Sequence, residues 1–266
     1  MLSSLAPARR RLVLALAALV VVAAAAIVVA VTVGGGSDDA APVSQQVPGP
    51  VVLVPGYGGS TTGVTALATY LRSHGKDATV FDLPGDGRDD LDAQARALGG
   101  AVTKVLDRTQ AKSVDVIGYS AGGVVARLWV RDHGGAGRAR HVVTLGSPQH
   151  GTDVAALAGS ALPGACPTAC RQLATDSTLL RDLNAGDETP AGPRFVSIWT
   201  THDDVVLPPT SARLDGALNL TVQSVCATDP VRHSGLPTDP TVQAVVLAEL
   251  AAGPPKAPAS GCVGGS

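Results

Sequence analysis

From residue 50 onward, short apolar runs alternate with longer stretches of mixed polarity. Six runs predict β-strands because they are continuously apolar and rich in β-branched residues: 51–54, 79–83, 114–117, 141–145, 195–199 and 218–225. Four stretches between them place apolar residues at helical spacing: 61–74, 91–108, 124–133 and 241–250. This alternation predicts an α/β fold in which a mostly parallel central sheet is flanked by helices.

The first fifty residues follow a different pattern. Three arginines at positions 9–11 precede an apolar run over residues 12–33. At 1.5 Å per residue, such a run can cross a hydrocarbon core of about 30 Å, and the arginines favour the cytoplasmic side for the N-terminus. We therefore expect residues 1–33 to be an uncleaved membrane anchor or a cleaved signal peptide. Either segment would export the rest of the chain.

Composition limits the classes of partner and cofactor. The formal net charge is only -2, and basic residues do not cluster beyond the N-terminus, which argues against a nucleic-acid partner. We see no dense His and Asp cluster, so we predict neither a metal nor a cofactor. We expect a monomer with a linker over 34–49, an α/β domain over 50–253 and an irregular tail over 254–266.

All four cysteines lie in the part that we expect to be exported. They are Cys166, Cys170, Cys226 and Cys262, and an even count in this compartment predicts disulfides. Three pairings are open. We favour Cys166 with Cys170, which share one local loop, and Cys226 with Cys262, which would pin the tail. The alternatives are free buried thiols or, less favoured, a zinc site, for which flanking ligands are missing.

A serine between glycines follows the third predicted strand. The sequence GYSAG, with Ser120 at its centre, has the G-x-S-x-G form of a strand-to-helix turn that presents a nucleophile. A serine hydroxyl needs a histidine base oriented by a carboxylate, and in α/β folds these follow in the order serine, acid, histidine. Only His202 and His233 come after the fifth strand. Because His202 adjoins the candidate acids, we predict His233 as the base rather than a surface histidine.

Two adjacent aspartates compete for the role of the acid. Asp203 and Asp204 both follow the fifth strand, and the residues alone do not separate them. For the oxyanion hole, we expect one backbone N–H from Ala121 and a second from the loop after the first strand, most simply from Tyr57. That loop is rich in glycine. A phosphate-binding loop is the alternative, but the loop contains no lysine.

Five separated motifs resemble one known family. VPGYGGS, VIGYSAGG, TLGSPQHGT, TTHDDVV and RHSGL together resemble the class 2 lipases and esterases of the α/β-hydrolase superfamily, of the actinobacterial triacylglycerol esterase type. The resemblance implies hydrolysis of acylglycerols or other lipid-like esters through an acyl-enzyme, with Ser120, Asp203 and His233 in the triad positions. It favours Asp203 over Asp204, because the family acid takes the first of the two places.

Two other functions are compatible with the same motifs. An envelope acyltransferase would use the same acyl-enzyme, and an envelope-binding protein would share the fold without catalysis.

The sequence departs from the family in two places. Pro55 stands where many relatives carry a histidine. Residues 152–193 are longer than in the smallest relatives, which suggests a partial cover over the site. We expect Tyr119 to pack beside the serine turn and His150 to have a structural role.

Overall fold

The computed structural model describes residues 43–161 and 163–263. The predicted anchor or signal segment, residues 1–33, and most of the predicted linker lie outside the described residues. Among the residues that are described, none of the helices combines the length and the apolar character that crossing a membrane requires.

Six strands in the described chain form one sheet in which every neighbouring pair is parallel. They are β1 Val51–Val54, β2 Ala78–Val80, β3 Val114–Tyr119, β4 Ala139–Leu145, β5 Arg194–Trp199 and β6 Leu218–Thr221. Their order across the sheet is β2-β1-β3-β4-β5-β6. From β1 the chain therefore crosses to β2 on one side of the sheet, and from β3 it crosses to β4 on the other side. The loops after β1 and β3 diverge at that point, where open parallel sheets have their binding crevice.

Helices cover both faces of this sheet, as the alternating pattern predicts. They are α1 Thr62–Ser73, α2 Leu91–Thr109, α3 Ala121–Asp132, α4 Asp153–Ala161, α5 Thr168–Gln172, α6 Thr178–Leu183, α7 Val222–Val225 and α8 Pro240–Glu249. Successive strand residues point to opposite faces. Accordingly Val52 packs in one core cluster with Trp129 of α3, and Leu53 packs in the other with Leu67 of α1.

Two predicted strands are wrong at their ends. The predicted strand 79–83 ends at Val80, because its neighbour β1 has only four residues and its last pair with β2 is Leu53 with Val80. The predicted strand 218–225 ends at Thr221. There the Thr221 hydroxyl accepts a hydrogen bond from the Ser224 amide and begins helix α7.

Residues 152–193, for which no element is predicted, contain α4, α5 and α6 and a one-turn 3₁₀ helix, Pro163–Ala165. The favoured disulfide pairing is confirmed: Cys166 bonds to Cys170 and Cys226 bonds to Cys262. The first bridge lies inside this segment, and the second joins the end of α7 to the tail.

Candidate active site

Ser120 occupies the turn between β3 and α3. Its backbone has φ 53° and ψ -126°, in the positive-φ region that residues other than glycine rarely adopt. The turn is tight because α3 passes close to the ends of β1 and β4. A Cβ on Gly122 would collide with the carbonyl oxygen of Val54, and one on Gly123 would collide with the Ser147 hydroxyl. The flanking glycines therefore permit the strained turn, which holds Ser120 at the carboxyl edge of the sheet.

His233 connects Ser120 to a carboxylate. It begins a one-turn 3₁₀ helix, His233–Gly235, after β6 and α7, and only 4% of its surface is exposed. Its Nε2 lies 3.0 Å from the Ser120 Oγ and its Nδ1 lies 2.8 Å from Asp203 Oδ2. With the proton on Nδ1, the neutral ring donates to Asp203 and accepts from the serine hydroxyl. The three side chains thus form one continuous hydrogen-bonded chain.

The two adjacent aspartates have different surroundings. Asp203 is buried, and its Oδ1 accepts hydrogen bonds from the amides of Val205 at 3.0 Å and Val206 at 2.8 Å, which leaves Oδ2 directed at the histidine. Asp204 is exposed and pairs with Arg232 at 2.9 Å. That hydrogen bond lowers the pKa of Asp204. The structure therefore brings Asp203, and not Asp204, to the His233 ring.

Tyr119, which we expect to pack beside the serine turn, contacts His233. Its hydroxyl donates to the carbonyl oxygen of His233 at 3.3 Å, and the two ring centroids are 5.3 Å apart. Burial, and then the negative charges of Asp203 and Asp204, raise the pKa of Tyr119 to about 12. The phenol therefore keeps its proton, and this hydrogen bond, across the neutral and moderately alkaline range.

Gly146, which directly follows β4, was not singled out from the sequence. Its φ is 54°, and a Cβ there would lie 2.6 Å from Leu236 Cδ1 and 3.2 Å from both Asp203 Oδ2 and His233 Nδ1. Real Cβ atoms do not approach a side chain to 2.6 Å, so only glycine leaves room for the histidine and aspartate to meet. The signal in the sequence was a glycine immediately after a buried strand.

The two amides predicted for the oxyanion hole belong to the residue after Ser120 and to the loop after β1. The loop after β1 passes directly over the serine, since a Cβ on Gly56 would lie 3.0 Å from the Ser120 Cβ. The Ala121 amide is the first of α3 and has no intrahelical acceptor. The Tyr57 amide makes no backbone hydrogen bond within the described residues. Both amides are therefore available to a substrate oxygen.

A cavity of about 300 Å³ opens beside Ser120. Its lining contains no charged side chain and comes from five places: Ser120 itself, the loop after β1, Pro148 in the loop after β4, the loop after Asp203, and the segment from Thr152 to Leu173. The last of these is the first part of the predicted partial cover, and the structure places it against the site. A larger groove of about 490 Å³ lies between edge strand β2 and α2, but Ser120 does not line it.

Exposed apolar side chains surround the mouth of this cavity. Tyr57, Val154 and Val205 line it and are 40 to 44% exposed, and Leu157 on α4 is 67% exposed. The cover is attached to the loop of the candidate acid, because the Thr152 hydroxyl donates to the carbonyl oxygen of Val205 at 2.7 Å. The rim of the cavity is therefore apolar, and this hydrogen bond connects it to the loop that carries Asp203.

His150 makes structural contacts at the start of the cover, in agreement with its expected role. Its Nε2 lies 2.8 Å from Glu188 Oε1 and its Nδ1 lies 3.3 Å from the Ser211 carbonyl oxygen. In the described residues, no group of three or more His, Cys, Asp or Glu is arranged to hold a metal ion.

The parallel sheet, the serine turn after β3 and the histidine after the last strand are those of an α/β-hydrolase. The family model of the class 2 lipases matches residues 48–242, and the chain belongs to this family. Family and fold together support a carboxylic ester hydrolase, and the predicted resemblance is confirmed.

Solved structures of other lipases share the fold at low sequence identity. Lipase B of Aspergillus fumigatus has a TM-score of 0.68 at 19% identity, over 79% of this chain and 54% of that lipase. Mature lipase BlEst2 of Bacillus licheniformis has a TM-score of 0.55 at 19% identity, over 69% of this chain and 86% of its own. The chain thus spans about half the length of the Aspergillus lipase and most of the Bacillus lipase.

Proposed function

We propose that this chain is a serine hydrolase of acylglycerols or other lipid-like carboxylic esters that acts through an acyl-enzyme. Ser120 is the nucleophile, His233 the general base and acid, and Asp203 the residue that orients the histidine. The observation that carries the proposal is the position of the buried His233 ring, within 3.0 Å of the serine hydroxyl and 2.8 Å of the Asp203 carboxylate. The chemistry needs no cofactor.

The reaction proceeds in two halves. As Ser120 Oγ attacks the ester carbonyl carbon, His233 Nε2 takes the hydroxyl proton, and Asp203 stabilises the imidazolium that forms. The tetrahedral intermediate collapses when the bond to the alcohol breaks and His233 returns the proton to the departing oxygen. Water then attacks the acyl-enzyme, with His233 again accepting and returning a proton, and the carboxylic acid leaves.

The amides of Tyr57 and Ala121 stabilise the oxyanion in both halves. Each such donor contributes about 3–4 kcal/mol to lowering the barrier when it points at the developing charge. Both amides belong to backbone that is fixed before substrate arrives. The Ala121 amide is positioned by the strained serine turn, and the Tyr57 loop is held by a hydrogen bond of 3.3 Å from the Gly58 amide to the carbonyl oxygen of Gly87.

The cavity and its rim favour lipid-like esters over charged ones. A charged acyl group would lose its hydration in a cavity without a charged partner, whereas a hydrocarbon chain gains about 25 cal/mol per Å² of buried apolar surface. The exposed side chains of Tyr57, Val154 and Val205, which line the cavity, extend this apolar surface outwards.

We also propose that the enzyme works outside the cytoplasm, as a monomer, attached to the membrane or released after cleavage of residues 1–33. Its two disulfides are consistent with an extracellular protein.

A fluorophosphonate probe tests the nucleophile directly. We expect the wild type and Ser60→Ala, which changes an exposed serine in the neighbouring loop, to be labelled, and Ser120→Ala to stay unlabelled. Labelling of Ser120→Ala at the wild-type rate would refute the proposal. The same proteins are assayed with p-nitrophenyl and acylglycerol esters, with and without an alcohol acceptor. Free acid as the main product supports hydrolysis, and a new ester as the main product supports the acyltransferase instead.

A further inference from the structure

Helix α4 forms one side of the cavity beside Ser120. Ala155 and Ala158, three residues apart and so on one face of the helix, both line the cavity. Their small side chains leave space that larger residues would fill. Ala165 and Cys170, which follow in the chain, continue the same wall. A long acyl chain leaving Ser120 would therefore meet α4, and a short one would end before it.

The side chains of α4 make few buried contacts that could hold the helix in this position. Of its nine residues, Ala155 alone is buried, while Val154 and Leu157 are exposed. A helix of this length is only marginally stable by itself. At its start the Asp153 amide donates to the Leu207 carbonyl oxygen at 2.9 Å, which ties that end to the loop of the acid. The other end needs a separate attachment.

The Cys166–Cys170 disulfide lies close to the C-terminal end of α4. Cys166 is 1% exposed, and its Sγ lies 3.8 Å from the position that a Cβ on Gly159 would occupy, so the bridge lies beside the last part of α4. Its partner belongs to α5, which is fixed in the core. Ala169 is fully buried and its amide donates to the carbonyl oxygen of Arg88 at 3.0 Å. The bridge thus lies beside the end of α4 and is joined to a fixed element.

We propose that α4 is the acyl-chain wall of the site, with Ala158 limiting its depth, and that the Cys166–Cys170 disulfide holds this wall in place and so sets the preference for longer acyl chains. The inference rests on the hydrolase function proposed above. It makes the bridge a determinant of specificity as well as of stability.

The two disulfides provide a matched comparison. We compare kcat/KM for p-nitrophenyl decanoate and p-nitrophenyl butyrate in the wild type, in Cys166→Ala/Cys170→Ala, and in Cys226→Ala/Cys262→Ala. We expect the decanoate-to-butyrate ratio to fall about tenfold in the first variant, since lost contacts in an apolar pocket change discrimination by that order. The ratio should stay within twofold of the wild type in the second variant. Thermal unfolding establishes that each variant is folded.

A second pair of variants tests the wall without touching either disulfide. Ala158→Leu adds bulk inside the cavity, and Ala161→Leu makes the same change at an exposed position of the same helix. We expect the decanoate-to-butyrate ratio to fall about tenfold or more in Ala158→Leu and to stay at the wild-type value in Ala161→Leu.

The outcomes separate this inference from the proposed function. If the folded Cys166→Ala/Cys170→Ala variant retains the wild-type ratio, the disulfide does not set the preference. If Ala158→Leu retains it, α4 is not the wall. Either result overturns the inference while leaving the hydrolase function intact. If the wild type hydrolyses neither ester and is not labelled by a fluorophosphonate, the function itself is wrong and the inference with it.

Discussion

Replacement of Gly146 by alanine should damage catalysis without removing any side chain of the proposed triad. The new methyl group would lie 2.6 Å from Leu236 Cδ1 and 3.2 Å from the two atoms that join His233 to Asp203. Leu236 is fully buried and cannot move away freely. We therefore expect the strain to be relieved in part by moving the loop of His233, the loop of Asp203, or both, since the two contacts of 3.2 Å are also tighter than ordinary van der Waals contacts.

Two effects of this substitution can be estimated separately. An alanine at φ 54° costs about 1–2 kcal/mol in backbone strain, which lowers Tm by about 2–8 °C in a domain of this size. A displacement of the base by about 1 Å costs on the order of 10²-fold in rate, because the proton transfer depends on a bond of 3.0 Å. The loss of activity should thus exceed what the loss of stability alone produces.

The matched control is Gly75→Ala. Gly75 has φ 77°, and a Cβ there meets nothing within 4 Å, so this variant carries the backbone strain without the collision. We expect both variants to lose a few degrees in Tm by differential scanning calorimetry. Only Gly146→Ala should lose about 10²-fold in kcat/KM on p-nitrophenyl butyrate at a temperature where both are folded. If Gly146→Ala stays within threefold of Gly75→Ala, the packing argument is refuted.

Three further predictions test the site and its support. Asp203→Asn should lower kcat by roughly 10⁴-fold, and Asp204→Asn, which alters an exposed ion pair, by less than about threefold; equal losses would contradict the assignment. Arg127→Met should lower the free energy of unfolding in urea by roughly 3 kcal/mol, since buried Arg127 bonds to Asn184 and Glu188 in the last part of the cover; a loss below about 1 kcal/mol would contradict this. Removing the Cys226–Cys262 bridge, whose cysteines are 36 residues apart, should lower the free energy of unfolding by about 3–4 kcal/mol. Removing the Cys166–Cys170 bridge, whose cysteines are 4 residues apart, should lower it by about 2 kcal/mol, because a shorter loop restricts the unfolded chain less. The reverse order would contradict this loop-entropy argument.

The central strands could be predicted because they are buried on both faces. β1 and β4 consist entirely of buried residues. β1 has no polar position, whereas β4 also buries Arg140, His141 and Thr144. The errors occur where the pattern fits two structures. Val222 and Val225 are both buried and three residues apart, which suits one turn of helix as well as the end of a strand. The cap from Thr221 decides between them.

The candidate triad could be located from a motif and the order of elements, but the residues alone did not separate Asp203 from Asp204. What distinguishes them is the turn that follows, in which the amides of Val205 and Val206 bind one oxygen of Asp203 and direct the other at His233. Adjacent residues on one loop share every local signal, so only three-dimensional geometry, or resemblance to a family, separates them. The catalytic roles themselves remain a prediction.

The cavity beside Ser120 could not be predicted because its position depends on contacts between distant residues. The expected cover between 152 and 193 was inferred from its length alone, and its helices are short and have few buried side chains. α4 is joined to the loop after Asp203 by a hydrogen bond and lies beside a bridge that joins Cys166 to α5, and neither feature produces a periodic pattern. Nucleophile chemistry is thus encoded in local motifs, whereas the space offered to the acyl chain is encoded in long-range attachments of the cover. Relatives with the same five motifs but without the Cys166–Cys170 bridge should therefore share the reaction and differ in acyl-chain preference.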